Sequence, residues 1–138
     1  MEKLTKRYNV VIQTLKTLKT AIEKLNNPKN KENYESFRDS LVQRFEYSID
    51  NFWKFLKIYL QEKHEVLTLG SPRDVLRNVL TANIITQDEF NKLIKCVRDR
   101  NLTSHTYNEP LAEEIAGNIP EYYGLMKKIM ERVNIAMS

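Results

Sequence analysis

Glycine and proline are scarce, with 3 and 4 in 138 residues, so the chain has little provision for the tight turns that a sheet protein needs. A single cysteine, Cys96, excludes an intramolecular disulfide and a cysteine-based zinc site, and a reducing, cytoplasmic setting is the expectation. Long apolar runs are also missing. No stretch approaches the roughly 20 residues of a membrane span, and the charged start MEKLTKRYNV does not read as an export signal. Nor is there a Gly-rich phosphate loop, a nucleophile elbow, HExxH, a calcium loop or a zinc ligand set, so no cofactor and no metal are expected. The charge imbalance is small: 22 basic against 18 acidic residues leave +4. That suits a polyanionic partner without demanding one.

What is abundant favours helix: Lys, Leu, Glu, Ile and Asn. Leu4, Tyr8, Val11, Leu15, Leu18, Ile22 and Leu25 alternate steps of four and three, the seam of a helix over about 2–25 that packs lengthwise on a partner. NNPKNKEN (26–33) reads as an exposed connection. A central helix follows to about Lys63, with Phe37, Leu41, Phe45, Ile49, Phe52, Leu56 and Leu60 on one stripe. Val42, Trp53 and Tyr59 widen that stripe toward more than one neighbour. Ser71-Pro72-Arg73-Asp74 opens a short helix over about 72–82 with a cap, a first-position proline and an acid in the first turn. Thr86-Gln87-Asp88-Glu89 is a capping box that starts a fourth helix near Gln87. Leu111, Ile115, Ile119, Tyr122, Met126, Ile129, Val133 and Ala136 mark a last helix, in which Pro120 predicts a kink or a restart. The expectation is one all-α domain over 1–138, an antiparallel up-and-down bundle of four main helices and one short one.

The octet RNLTSHTY (100–107) stands out because it compresses Arg100, Asn101, His105 and Tyr107 into a helix terminus. The plain reading is capping, since Arg and His near a helix C-terminus satisfy free carbonyls and complement the dipole. The reactive reading needs Arg100 and His105 to converge. Five residues apart on an unbroken helix they diverge by about 140°, so either the helix loosens around Leu102-Thr103-Ser104 or a second copy supplies one of them. A converged pair suits metal-free RNA cleavage. The histidine would take the 2′-hydroxyl proton or protonate the leaving oxygen, the arginine would hold the phosphate, and Asn101 would orient the histidine or a ribose.

Those residues resemble the R-x4-H-x-Y signature of the HEPN domain, in the branch encoded beside a minimal nucleotidyltransferase. RFEYSIDNFWK (44–54) is similar to the FE…WK segment of that branch's central helix, SPRDVLRN (71–78) to its next helix start, and DRNLTSHTYNE to its motif block. Asp50 stands where many relatives are expected to carry a longer acid. The resemblance implies a helical homodimer with both motifs at a cleft between protomers. It also implies an endoribonuclease toxin with Arg100 and His105 as its catalytic pair. The nucleotidyltransferase partner would be the antitoxin, silencing the toxin by adenylylating Tyr107. An alternative within the same branch is a non-catalytic substrate-binding subunit of a two-component nucleotidyltransferase.

Other polar residues have plainer readings. Glu46, between Phe45 and Tyr47 on an apolar helix, requires a basic partner from another helix. Trp53 reads as packing, His64 as a solvated cap, and Cys96 as a small buried residue. Lys92, Lys95, Arg98 and Arg100 climb the fourth helix. Such a run is commonly a solvated face, but here it would extend a positive track for RNA from the motif, with Lys95 and Arg98 as its contacts. Of the tyrosines after Pro120, Tyr122 fits the core stripe and Tyr123 is the freer one to stack on a base.

Overall fold

The computed structural model describes residues 2–105 and 108–137, without the side chains of His105 and Ile135. It runs α1 (Glu2–Asn26), a 3-10 helix (Pro28–Asn33), α2 (Tyr34–His64), α3 (Pro72–Thr81), α4 (Gln87–His105) and α5 (Glu109–Met137). The molecule is an all-α helical bundle.

Local chemistry sets the boundaries. The exposed connection after α1 closes into a 3-10 helix because the Asn27 side chain accepts from the Lys29 amide at 3.0 Å and Pro28 supplies a preset φ. At α3, Asp74 N–H donates to Ser71 Oγ at 3.4 Å and Ser71 N–H to Asp74 Oδ2 at 3.2 Å. A Cβ at Gly70 would collide with that carboxylate, so the cap closes as it does only over a glycine. At α4 the Thr86 and Glu89 groups exchange equivalent bonds at 2.9 and 3.1 Å. Both capping patterns predicted from the sequence therefore form.

α2 is the axis of the bundle and packs against all four other α-helices, which is why its apolar stripe is so wide. Phe45, Phe52, Phe55, Leu56 and Leu60 are fully buried on it. Leu4, Val11, Leu15 and Leu18 of α1 meet them from one side, and Ile115, Ile119, Met126 and Ile129 of α5 from another. Phe37 departs from the expected stripe. It is only half-buried, stands outside the core cluster, and lines a groove between α1 and α2. At Pro120 the helix does not restart: α5 is continuous through it. The proline removes one backbone rung, and the buried contacts of Ile119, Tyr122 and Met126 on the same helix outweigh that loss.

A charged pair ties the start of α4 to the end of α5. Arg132 donates to both oxygens of Glu89 at 2.9 Å and to the Ile84 carbonyl at 2.9 Å, with Lys128 3.8 Å away. The Arg132 bonds, followed by the Thr86 amide, hold the buried Glu89 carboxyl down at about 2 against the opposing effect of burial. Since that value lies below the ordinary 4.5, the contribution is complete above about pH 4.5 and lost as pH falls toward 2. Arg132 is 37% exposed, so the contribution is of order 2 kcal/mol after screening. Glu89→Gln should lower stability by that amount at pH 7. In urea titrations the gap from wild type should narrow as pH drops through that window; a gap independent of pH would contradict the assignment.

Candidate active site

α4 turns Leu93, Cys96 and Val97 inward, and Asp99 with them. Asp99 is 4% exposed; it accepts the Tyr122 hydroxyl at 2.5 Å and the Asn118 amide at 3.3 Å. Burial, then that hydrogen bond, raise the Tyr122 phenol far above its ordinary value. Tyr122 is thereby committed to the core and closed to stacking on a base, while Tyr123 is half-buried against the core. Burial likewise pushes the Cys96 thiol up, in keeping with a small interior residue. Trp53 packs half-buried on the core, and His64 ends α2 exposed, its ring 5.5 Å from that of Tyr59.

Because Asp99 points in, Arg100 is carried round toward α2. There Glu46 and Asp50, one turn apart, face α4 together. Arg100 Nε donates to Asp50 Oδ1 at 3.1 Å and Nη2 to Asp50 Oδ2 at 3.0 Å, a two-pronged grip on one carboxylate. Nη1 donates to Glu46 Oε2 at 2.8 Å and also to the Ser104 hydroxyl. Thr103 Oγ1 donates to the same Glu46 oxygen at 2.7 Å. Asp50, with Glu46, raises the Arg100 pKa against the effect of burial. The guanidinium is 25% exposed, so it is held at the surface in one orientation. One formal positive charge here meets two formal negative ones. Glu46 and Thr103 also line a cleft of about 470 Å³ between α2 and the start of α5, beside Asn108 and Leu111.

α4 runs unbroken to His105, so the loosening expected around 102–104 is absent. Thr103 is accommodated in helix because its hydroxyl bonds back to the Arg100 carbonyl at 2.7 Å while serving Glu46. The backbone positions of Arg100 and His105 therefore lie about 140° apart around the α4 axis. The His105 side chain and Tyr107, the expected site of modification, lie outside the described residues. Asn101, Lys95 and Arg98 are exposed. Lys92 leaves the supposed track, because Asp88 at 3.3 Å and Glu121 at 3.8 Å pair with it.

The sequence reading finds the basic partner demanded by Glu46 but misses Asp50 as the stronger hold on Arg100. The i, i+4 spacing of the two acids on an otherwise apolar helix is the signal that carries it. Asp99 was missed outright, since nothing in DRDRN tells an inward acid from an outward one.

A family model described as nucleotidyltransferase substrate binding protein like matches residues 6–135. The chain belongs to that family. It is similar to a protein of Thermus thermophilus of known crystal structure, with 37% identity and a TM-score of 0.79 over 88% of this chain and 97% of that one. More distantly, it shares its fold with the toxin-antitoxin MntA-HpeT, at 17% identity and a TM-score of 0.70 over 92% and 98% of the two chains. The fold is also that of a tri-AMPylated HEPN toxin of Shewanella oneidensis in complex with MNT antitoxin, at 18% identity and a TM-score of 0.69 over 91% and 97%. No curated protein matches the sequence. Among the described residues no helix is long and apolar enough to cross a membrane.

Proposed function

We propose that this family member is a metal-independent endoribonuclease toxin, dimeric, and silenced by a nucleotidyltransferase that adenylylates Tyr107. The observation that carries the reading is the grip of Glu46 and Asp50 on Arg100. It fixes the guanidinium of the R-x4-H-x-Y block as a preset phosphate ligand rather than a mobile surface cation. With α4 unbroken, one protomer does not bring Arg100 and His105 to one anion. In this reading a twofold axis does: Arg100 of one copy and His105 of the other flank the scissile phosphate. His105 moves the 2′-hydroxyl or leaving-group proton, and Arg100 offsets charge growing on the phosphate oxygens. Asn101, exposed one residue on, is assigned to orienting the histidine or a ribose, with Lys95 and Arg98 as weak RNA contacts.

Purified chain should cleave single-stranded RNA equally well with and without EDTA and leave DNA of the same sequence whole, because only RNA offers the internal 2′-hydroxyl. Cleavage that EDTA abolishes, or none at all, would reject the assignment. One observation favours a second reading, the substrate-binding subunit: four of the five guanidinium N–H groups of Arg100 are already occupied. Under that reading the clean protein cleaves nothing, and adding it changes the partner's affinity for its own substrate.

A further inference from the structure

The Arg100 site, formally more acidic than basic, attracts RNA poorly by itself, so the source of that attraction has to be elsewhere on the surface. On α1, Thr17, Thr20 and Lys24 fall at helical steps on one face, and on α2 Phe37, Ser40 and Arg44 do the same. The two faces line a groove of about 270 Å³ that contains no carboxylate. Among the described residues neither Lys24 nor Arg44 forms an ion pair. Arg38, Arg100 and Arg132, by contrast, are each bound by carboxylates. The Thr17 and Thr20 hydroxyls donate to their own helix, at the Thr14 and Lys16 carbonyls. The donors left facing the groove are therefore the two cations and Ser40. Phe37, half-buried and outside the core, supplies a flat apolar wall.

Two unneutralised cations, a hydroxyl and an aromatic wall are the groups that hold a phosphate and its adjoining base. Ser40 also lines the cleft that contains Glu46, the residue bonded to Arg100. Ser40 and Glu46 are about 9 Å apart along the α2 axis, so groove and motif adjoin across one helix.

We infer that this groove is a second RNA subsite, which takes a backbone phosphate between Lys24 and Arg44 and a base against Phe37. It deepens the endoribonuclease reading and rests on RNA being the ligand. The subsite supplies attraction, and Arg100 supplies orientation at the reacting phosphate.

The test is fluorescence anisotropy of a single-stranded 2′-O-methyl RNA, which lacks the hydroxyl needed for cleavage, titrated with the full chain over a series of salt concentrations. Lys24→Gln with Arg44→Gln should weaken binding about tenfold and flatten the salt slope by about 1.4, roughly 0.7 for each lost phosphate contact. Phe37→Ala should weaken binding and leave the slope unchanged. Both positions of the double variant are exposed, and an unaltered melting curve confirms its fold. Wild-type affinity and slope in the double variant would overturn the subsite. So would failure of the wild type to bind RNA, or a defect seen only in binding the nucleotidyltransferase, which would assign the groove to that partner. Dependence on Lys24 and Arg44 in a chain that cleaves no RNA would leave the subsite standing and remove the nuclease reading. Cleavage without that dependence would do the reverse.

Discussion

Arg100→Ala and His105→Ala should each lower RNA cleavage by about 10²- to 10⁴-fold while leaving the helical fold and the dimer intact. Stability is spared for a physical reason. Glu46 and Asp50 are 26% and 34% exposed, so water can solvate both carboxylates once the guanidinium is gone, and the loss stays near the 0–1 kcal/mol of a surface pair. The two carboxylates thus serve the orientation of Arg100 more than the folding of the chain. Arg100→Lys keeps the charge but cannot reproduce the two-pronged hold on Asp50, and it should remain strongly impaired. Thermal melts beside the cleavage assay check both halves. A variant inactive only because it unfolds, or one as active as wild type, would count against the roles assigned.

The second large effect concerns Tyr107. Incubated with ATP, magnesium and its nucleotidyltransferase, the chain should gain the mass of one or more adenylates and lose cleavage, whereas Tyr107→Phe should gain none and stay active. Each adenylate adds a phosphodiester charge and a bulky base beside the motif. That charge competes with RNA for Arg100 and repels the strand's own phosphates. In cells, the variant should remain toxic in the presence of the partner. Intact-mass spectrometry with growth assays reads both outcomes, and adenylylation of Tyr107→Phe to the wild-type extent would move the modification to another residue.

The helices were legible because their burial repeats with the helical period. Leu4 to Leu18, Phe45 to Leu60 and Ile115 to Val133 all went where their spacing put them, and the cap residues at Ser71 and Thr86 fixed two of the starts. Pro120 misled, since packing on both sides of a proline can hold a helix through one missing rung. Phe37 misled for the opposite reason: it keeps the period of the stripe, but the groove between α1 and α2 opens beneath it. At the candidate site, Glu46's need for a basic partner could be read from its apolar surroundings. Which cation met it, and that Asp50 would take the larger share, depended on how α4 is rotated against α2. That rotation is set by Asp99 turning inward to Tyr122, a contact made 23 residues away and not visible in local sequence.

The most direct test of convergence across a twofold axis is to mix Arg100→Ala with His105→Ala, each inactive alone, allow subunits to exchange, and measure RNA cleavage. In a hybrid dimer one of the two sites then holds an intact Arg100 and an intact His105, so a statistical mixture should recover about a quarter of wild-type activity. A mixture as inactive as its components, with exchange verified by mass, would contradict the account, because no protomer in it carries both groups.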